Sequence, residues 1–390
     1  MGANNADPMA SLPLAGIRVV ALEQAVAAPF CSRQLADMGA DVVKVERPDR
    51  GDFARDYDEA LNGLSAYFAW LNRGKRSITL DLKQSRDHHV FTTLLSHADV
   101  FIHNLAPGAV ERLGFGFEQL SAQWPRLIWC GISGYGPDGP YQQRRAYDLL
   151  VQAESGVISL TGTPDSPAKV GISLADIASG LYGYSSILAA LLNRERTGRG
   201  DRIDISMLEC LTEWMMPPIY VWLGTGHAPG RTGVRHNMIV PYGAYACADG
   251  MVYFSVQNER EWQRFCSEIL SPALANDPRF ATNASRVRNR LELEGLIEEG
   301  LRSRSRAEIL LLLDRASIAN SQVNDVAGAA QHPQLAARRR WVDVDSPVGT
   351  IPALVPPHNL RHAPASMRRV PALGEHTREI LNELGLGGAK

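Results

Sequence analysis

The sequence predicts an α/β protein built on a parallel sheet, with a smaller α+β domain after it. In the first third of the chain, short β-branched runs alternate with segments of helical spacing, which is typical of a parallel sheet with helices on both faces. Further along, this alternation gives way to a hairpin pattern followed by helices. With 390 residues, of which 45% are hydrophobic, the chain is long enough for a large core and two domains.

The predicted elements of the sheet domain follow one another along the chain. Strands are expected in IRVVALE, ADVVKVERP, RSITLDLK, DVFIHNL and RLIWCGISGYG. The helices between them are expected in APFCSRQLADMG, SRDHHVFTTLLSHA and GAVERLGFGFEQLSAQW. The stretch VGISLADIASGLYGYSSILAALLNRERTGRG predicts a short strand that runs into a long amphipathic helix ended by a glycine. Ligands of such sheets bind beyond the carboxyl ends of the strands.

The pattern of the second domain is that of a smaller α+β unit. YGAYAC and MVYFSV, joined by the turn ADG, predict a β-hairpin, and helices follow as far as RSRAEILLLLDRA. A proline-rich connector precedes a last amphipathic helix in LGEHTREILNELGL. We therefore expect a large domain over residues 1–220, a small domain over 235–330, and a linker with a returning helix over 331–390.

Composition and charge exclude several classes of protein. The net charge is −2 and the pI is near 6.6, so no global basic field attracts nucleic acid or a membrane surface. Five scattered cysteines without a CxxC pair argue against a disulfide scaffold and against a metal site. MGANNADPMASLPLAG lacks the pattern of a signal peptide, and no uninterrupted apolar stretch is long enough to cross a bilayer. We expect a cytoplasmic protein with neither nucleic-acid nor membrane partners.

The sequence lacks the common nucleotide-binding motifs. EQAVAAPF follows the first predicted strand, where a dinucleotide-binding protein has G-x-G-x-x-G. LNRGKRS lacks the first glycine of a P-loop. A nicotinamide-dependent dehydrogenase and a nucleoside triphosphatase are therefore disfavoured.

Basic residues gather near the ends of the predicted strands. They are Arg47, Lys75, Arg76, Arg112 and Arg145. Any one of them alone is best explained as a solvated cation. Together, on a sheet without a glycine motif, they indicate a polyanionic ligand held by side chains, because guanidinium groups fit phosphate oxygens. Coenzyme A, with a pyrophosphate and a separate ribose phosphate, requires several such contacts.

Asp176 stands where the long helix begins, and two roles are open for it from the residues alone. It is either an N-cap for free backbone N–H groups or a reactive carboxylate that the same N–H groups and the helix dipole keep ionised. The neighbouring acids Asp148 and Glu154 are interpreted as structural capping groups.

Several blocks together resemble the family III CoA-transferases, which include formyl-CoA transferase and carnitine CoA-transferase. The blocks are PLAGIRVVALEQAVAAPFCSRQLADMGADVVKVERP, LNRGKRSITLDLK, FIHNLAPGAVERLGF, ISGYGPDGPY, LADIASGLYGYSSILAALLNRERTGRGDRIDISMLE and PALGEHTREILNELG. They span nearly the whole chain. The resemblance implies a Rossmann-like large domain, a small domain, and a homodimer of two interlocked chains.

The resemblance also implies roles for individual residues. Asp176 aligns with the catalytic acid, which forms an anhydride and then an aspartyl-CoA thioester. Helix N–H groups would stabilise the oxyanions, and Gly180 and Gly183 would leave room for the acyl group. A CoA thioester is then a substrate, and no cofactor is held permanently. The residues implied to contact it are Val26, Ala27, Arg47, Leu71, Lys75, His103, Asn104, Arg112 and Arg145, with Tyr147 near the reacting carbonyl.

The substrate is expected to be a C4 or C5 dicarboxylate, such as succinate, mesaconate, itaconate or citramalate. Formyl-CoA transferases carry a glycine run in the small domain, and this chain has VRHNMIVPYGAY and SVQNEREW there. Oxalate and formyl-CoA are therefore disfavoured. Arg231, Arg235 and His236 are candidates to bind a second substrate carboxylate.

Two other functions are considered besides CoA transfer. An α-methylacyl-CoA racemase resembles these proteins but pairs the aspartate with a histidine where this chain has Tyr147, and a tyrosine is a poor second base. Glu259 does stand where racemases have a supporting acid. The other alternative is an acyl-CoA-binding protein without catalysis, for which an intact Asp176 has no use.

Overall fold

The computed structural model describes residues 12–387, which form two compact units. The first unit contains the described residues up to Ser155, then Gly171–Trp214, and those from Gln334 onward. The second unit contains Gly156–Val170 and Met215–Pro333. The division into domains 1–220, 235–330 and 331–390 stays a prediction, and the compact units have different borders. Residues 1–11, which include most of the stretch tested for a signal peptide, lie outside the described residues.

The first unit is built on a six-stranded sheet in which all neighbouring strands are parallel. Its order is β3-β2-β1-β4-β5-β8, which is the strand order of dinucleotide-binding Rossmann folds. The α/β prediction is therefore confirmed. The strands are β1 (Arg18–Leu22), β2 (Asp41–Glu46), β3 (Arg76–Thr79), β4 (Val100–His103), β5 (Ile128–Ser133) and β8 (Arg202–Ser206).

Helices cover this sheet, and one predicted helix is wrong. GAVERLGFGFEQLSAQW was expected as a single helix but forms two short ones, because Gly114 between them adopts a left-handed φ of 82°. The helices of this part are α1 (Ala27–Asp37), α2 (Ala66–Asn72), α3 (Ser85–Ser96), α4 (Ala109–Arg112), α5 (Phe117–Gln123) and α6 (Asp148–Glu154).

The long helix α8 (Leu174–Thr197) ends at Gly198 in the left-handed region, as the glycine stop predicts. The short strand predicted before it is wrong, because residues 170–173 form bends and pair with no strand. Among the described residues, α8 is the one helix long and apolar enough to cross a membrane by length and composition. Half of its apolar window is buried inside the structure. The helix α9 (Met207–Trp214) follows β8.

Two glycines let α8 approach α1 closely. A Cβ atom at Gly180 would lie 2.5 Å from the carbonyl oxygen of Ala27 and 3.0 Å from the ring of Phe30. A Cβ atom at Gly183 would lie 3.3 Å from the Sγ atom of Cys31. The expectation that these glycines leave room for an acyl group is wrong, because α1 fills the space.

Replacing Gly180 with alanine is expected to destabilise the protein by about 1–3 kcal/mol, since the added methyl group meets backbone rather than a flexible side chain. The matched control is Gly295→Ala on helix α13 (Arg290–Leu301) of the second unit, where no neighbouring side chain or loop atom lies within 4 Å of the added Cβ atom. That control is expected to be neutral or to stabilise by up to about 1 kcal/mol. Thermal unfolding of both variants checks the prediction, and equal effects would contradict it.

The second unit contains the predicted hairpin, which is confirmed as β9 (Tyr242–Cys247) and β10 (Gly250–Ser255). A third strand, β11 (Ala319–Ser321), pairs with β10 and was not predicted. Buried apolar residues of this sheet and its helices, among them Phe254 and Trp262, form the core. The other elements of the unit are α7 (Val157–Leu160), β6 (Gly162–Thr163), β7 (Ser166–Pro167), α10 (Met216–Thr225), α11 (Glu259–Glu268), α12 (Asn283–Arg288), α13 (Arg290–Leu301), α14 (Arg306–Arg315) and α15 (Val326–Ala330). A short helix α16 (Pro333–Ala337) spans the border between the units.

The C-terminal residues complete the first unit. The hairpin β12 (Trp341–Ser346) and β13 (Gly349–Leu354) lies where only a linker was predicted. The last helix α17 (Thr377–Glu383) confirms the predicted terminal helix.

The segment just before and within α17 covers the free side of the edge strand β3. The N–H of Thr79 donates to the hydroxyl of Thr377 at 3.2 Å, and the N–H of His376 donates to the carbonyl of Ser77 at 2.9 Å. The edge strand of the sheet therefore has its backbone partners in the last residues of the described chain.

Candidate active site

The turn between β1 and α1 lies at the carboxyl edge of the sheet, where the strand order reverses between β1 and β4. Ligands of open parallel sheets bind at such a point. Ala25 in this turn has a φ of 62°, a conformation that non-glycine residues rarely adopt. Asn104, after β4, holds the turn: it accepts from the N–H of Gln24 at 2.9 Å and donates to the carbonyl of Gln24 at 2.8 Å. The N–H of Ala25 donates to Asp52 at 3.0 Å.

Asp176 lies in the first turn of α8, whose start packs near this turn through Gly180 and Ala27. Its carboxylate is partly buried and, within the residues that the structure describes, forms no hydrogen bond or ion pair. A carboxylate that caps its own helix accepts a bond from a backbone N–H of the first turn. Asp176 accepts none, so the capping role is wrong for it.

Asp148 performs the capping instead. One of its carboxylate oxygens accepts from the N–H of Ala175 at 2.7 Å, and the other accepts from Gln152 at 2.7 Å. Asp148 is the first residue of α6, so it ties the start of that helix to the start of α8. Asp148 therefore has the structural capping role that the sequence predicts, but the helix that it caps is α8 and not its own helix α6.

The surroundings of Asp176 raise the pKa of its carboxyl group. Burial, followed by the negative charge of Asp148, raises the pKa of Asp176 from its ordinary value to about 7. The N-terminus of α8 does not offset this rise in pKa, because most of its backbone N–H groups already donate to other acceptors. Leu174 donates to Ile172, Ala175 to Asp148, and Ile177 to Ser173.

The start of α1 carries free backbone donors. No side chain caps α1, whose N-terminal position is Val26, and Phe30 donates to the carbonyl of Val26. The N–H groups of Ala27 and Ala28 have no acceptor within residues 12–387. Ala27 therefore has a main-chain donor available for a ligand, while the contacts that the resemblance implies for Val26 and Ala27 stay predictions.

Two tyrosines share the surroundings of Asp176. Burial, then the charges of Asp52 and Asp176, raises the pKa of Tyr57 to about 12, and Tyr147 acts on it as well. Tyr147 is 65% exposed and directly precedes Asp148. The sequence analysis missed Tyr57, because nothing in its local pattern points to Asp176.

Three of the five basic residues remain free at the carboxyl edge. Arg47 and Arg112 follow β2 and β4, and Arg145 precedes α6; all three are exposed. None of the three forms an ion pair in the part of the chain that the structure describes. Arg47 donates only to the carbonyl of Gly51, at 3.3 Å. These guanidinium groups are available to bind phosphate.

The other two basic residues are engaged. Arg76 begins β3, so it lies at the amino edge of the sheet, where it pairs with Asp41, Glu379 and Glu383. Lys75 is buried, and its ammonium group contacts Glu23 at 2.6 Å. Burial lowers the pKa of Lys75 to about 8, and Glu23 opposes this shift. Neither cation is free for a ligand.

The remaining implied contacts are mostly buried. Leu71 lies inside α2 with no exposed side chain. His103 ends β4 and lines a cavity of about 280 Å³ together with Trp129, Gly131 and Arg202. Burial lowers the pKa of His103 to about 3, and neither ring nitrogen has a partner in the described chain.

The residues proposed for a second substrate carboxylate lie in the second unit, and one of them is already neutralised. Arg235 forms ion pairs with Glu294 at 2.7 Å and with Glu298. Two carboxylates therefore already compensate its positive charge, and the side chain is not available to a substrate. Arg231 donates to the carbonyls of Thr163 and Pro164, both at 2.8 Å, and has no carboxylate partner among residues 12–387.

His236 and Glu259 also have structural partners. His236 accepts from the N–H of Met238, and burial lowers its pKa. Glu259 pairs at 2.9 Å with the buried Arg286, which packs over the ring of Trp262. Glu259 therefore serves as the counter-ion of a core arginine in this unit.

The sequence analysis missed the charged residues beneath the β1–α1 turn. Lys44 and Glu23 lie in and after buried strands, and Asp52 lies in the loop after β2. The signal was present: a lysine inside the apolar run DVVKVE requires a buried partner. The local pattern does not say which acid that partner is.

Comparisons with known proteins identify the family of the chain. Residues 14–377 match the model of CoA-transferase family III. The chain is 36% identical over 382 residues to a succinate–glutarate CoA-transferase of Agrobacterium fabrum, covering 95% of this chain and 96% of that protein. It is 38% identical over 332 residues to an acetyl-CoA:oxalate CoA-transferase of Acetobacter aceti, covering 85% of each. A CaiB/BaiF family protein from Brucella suis has a similar structure, with a TM-score of 0.82 at 36% identity, over 96% of this chain and 99% of that one. The chain belongs to CoA-transferase family III.

Proposed function

We propose that this enzyme transfers CoA from an acyl-CoA thioester to a carboxylate, with Asp176 as the nucleophile. The observation that carries the proposal is that the Asp176 carboxylate, at the start of α8, accepts no hydrogen bond from residues 12–387, because Asp148 caps that helix instead. A carboxylate with a raised pKa is also a stronger base, and hence a better nucleophile once ionised.

The reaction proceeds by two exchanges at the Asp176 carboxyl group. The carboxylate attacks the thioester carbonyl, giving a mixed anhydride and CoA thiolate. The thiolate attacks the aspartyl carbonyl, releasing the donor acid and leaving an aspartyl-CoA thioester. The acceptor carboxylate then attacks that thioester, and the expelled thiolate takes the acceptor acyl group and restores Asp176. We assign the oxyanions to the N–H groups of Ala27 and Ala28, which have no acceptor among the described residues.

CoA is a substrate in this scheme, and its phosphates are assigned to Arg47, Arg112 and Arg145. Replacing Arg112 with methionine is expected to raise KM for succinyl-CoA about tenfold with little change in kcat, because a charge-assisted contact is lost. Arg76→Met, on the opposite edge of the sheet, is the control and is expected to leave KM unchanged. Steady-state kinetics against succinyl-CoA checks both, and equal KM values for the two variants would remove Arg112 from the phosphate site.

We infer that the acceptors are C4 and C5 dicarboxylates. The support is the likeness to a succinate–glutarate CoA-transferase, together with Arg231, whose guanidinium has no carboxylate partner in the described residues. Initial rates with succinyl-CoA and glutarate, mesaconate, itaconate, citramalate or oxalate test this. A preference for oxalate would assign the enzyme to the activity named for the Acetobacter relative.

Mass spectrometry after incubation with succinyl-CoA tests the chemistry. We expect a CoA-sized adduct on a peptide containing Asp176, removed by borohydride reduction and absent in Asp176→Ala. A racemase would instead exchange the α-proton of a branched acyl-CoA in deuterated water without forming an adduct. A binding protein would give neither signal. Tyr147 supports transfer, since proton exchange needs a second base.

We further propose that the enzyme is a homodimer of interlocked chains and acts in the cytoplasm. Helix α10 supports the dimer: none of its residues is buried, and Tyr220, Trp222 and Leu223 are each more than half exposed. Such an apolar helix requires a covering surface, and a second copy supplies one. Light scattering coupled to size exclusion tests this: we expect twice the monomer mass, and a monomer for Trp222→Glu. A monomeric wild-type protein would contradict it.

A further inference from the structure

Four charged side chains lie buried beneath the β1–α1 turn. Glu23, Lys44, Asp52 and Lys75 are each at most 2% exposed. Lys44 contacts Asp52 at 2.8 Å and Glu23 at 3.3 Å, and Lys75 contacts Glu23 at 2.6 Å. Two cations therefore alternate with two anions, and no charge in the row lacks a partner. We call these four residues the ionic row.

The ionic row is connected by hydrogen bonds to both ends of the β1–α1 turn. Asp52 accepts from the N–H of Ala25, the residue with the left-handed backbone. Glu23 directly precedes the turn, and its second oxygen accepts at 2.6 Å from the hydroxyl of Ser32 in α1. Lys75 joins the two flanks, since it also donates to the carbonyl of Pro29 at 3.1 Å.

Lys75 has no donor left for a ligand. An ammonium group has three N–H donors. Those of Lys75 are matched by Glu23 at 2.6 Å, Asn72 at 2.9 Å and Pro29 at 3.1 Å. A phosphate could bind this ammonium only by breaking one of these buried contacts.

The position of the turn matters for Asp176. The carbonyl of Ala27 and the ring of Phe30 lie against Gly180, one turn beyond Asp176 on α8. A shift of the α1 start therefore changes the distance between its free N–H groups and the carboxylate of Asp176.

We propose that Lys75, through the ionic row, is a positioning residue that holds the N-terminal amides of α1 in place for the reaction at Asp176, and that it is not a phosphate contact. This rests on the proposed CoA transfer. The row fixes the strained turn, the turn fixes the first residues of α1, and these present their N–H groups beside Asp176.

The experiment compares Lys75→Met with Lys83→Met, an exposed lysine after β3, and with Arg112→Met. For Lys75→Met we expect kcat to fall about 10- to 100-fold, with KM for succinyl-CoA within about twofold of wild type, because misplacement of catalytic groups lowers the rate at a given binding strength. Lys83→Met is expected to match wild type. A tenfold rise in KM at unchanged kcat, the result expected for Arg112→Met, would overturn the proposal.

Hydrogen exchange provides a readout that needs no turnover. In free Lys75→Met, the hydrogen-bonded amides of Ala25 and Phe30 are expected to exchange at least about tenfold faster than in wild type, while those of α17 stay unchanged. Unchanged exchange at Ala25 and Phe30 would overturn the proposal even if wild type forms no aspartyl-CoA adduct, whereas absence of that adduct alone refutes only the proposed function. Should Lys75→Met fail to fold, Ser32→Ala, which removes one hydroxyl contact to Glu23, is expected to shift both readouts in the same direction by about threefold. No shift in that variant would overturn the proposal.

Discussion

Replacing Asp176 with asparagine is expected to lower kcat for CoA transfer by at least about 10⁴-fold. Removal of a catalytic nucleophile has effects of this size, since the remaining groups still bind substrate but form no covalent intermediate. Asparagine keeps the shape of the side chain and removes only the anion. Steady-state rates with succinyl-CoA and glutarate, together with the loss of the CoA adduct, check the result. A variant that retains one tenth of the wild-type rate would exclude Asp176 as the nucleophile.

The same variant is expected to unfold at a higher temperature than wild type when the pH is above 7. The pKa of Asp176 is about 7 in the folded protein, above its ordinary value near 4. For an acid whose pKa is raised on folding, ionisation costs stability, so the wild-type penalty is absent below about pH 4 and complete above about pH 7. The asparagine variant lacks this penalty. Melting temperatures measured at pH 4.5 and pH 8 are therefore expected to differ between the two proteins mainly at pH 8, and equal differences would contradict the raised pKa.

Replacing Asp148 with asparagine is expected to shift the acid limb of the pH profile of kcat/KM to lower pH. In wild type the limb should lie near pH 7, because kcat/KM follows the ionisation of the free enzyme and Asp176 must be ionised to attack. The negative charge of Asp148 is the second cause of the raised pKa, after burial. An amide at this position still accepts the bond from Ala175, so the helix cap stays while the charge is removed.

The control for this prediction is Glu154→Gln on the same helix, since Glu154 pairs with Arg144 on the protein surface. That variant is expected to keep the wild-type pH profile. Asp148→Ala removes the cap together with the charge. The N–H of Ala175 then loses its acceptor, and we expect the carboxylate of Asp176 to take its place. Because that bond would draw Asp176 away from its reactive position, kcat is expected to fall about 10- to 100-fold. If Asp148→Asn and Glu154→Gln had identical pH profiles, Asp148 would have no influence on the ionisation of Asp176.

The parallel sheet was predictable because each strand carries its own local signal. Val19, Val20 and Ala21 form a buried apolar run with two β-branched residues, and the runs in β2 and β4 are similar. The hairpin β12–β13 was missed, although WVDVDS alternates, because the surrounding prolines favoured a connector. The break between α4 and α5 depends on Gly114, whose left-handed backbone stops a pattern that otherwise continues.

The site was only partly predictable, because its roles depend on pairings that are distant in sequence. Arg112 and Lys75 are equally basic in the sequence, yet one is exposed and the other is surrounded by Glu23, Pro29 and Asn72. Likewise, Asp176 and Asp148 both lie in the first turn of a helix. Which of the two caps α8 is decided by a contact across 27 residues, and no local pattern encodes it.

The cover over strand β3 has a consequence for synthesis of the chain. On the open side of β3, Thr79 has its hydrogen-bonding partner, Thr377, 298 residues further along the chain. From the synthesis of β3 until His376 and Thr377 have been made, the nascent sheet therefore carries an exposed edge, and such edges pair readily with other chains. A message truncated shortly before codon 376 would yield an aggregation-prone product, although it would contain all six strands of this sheet.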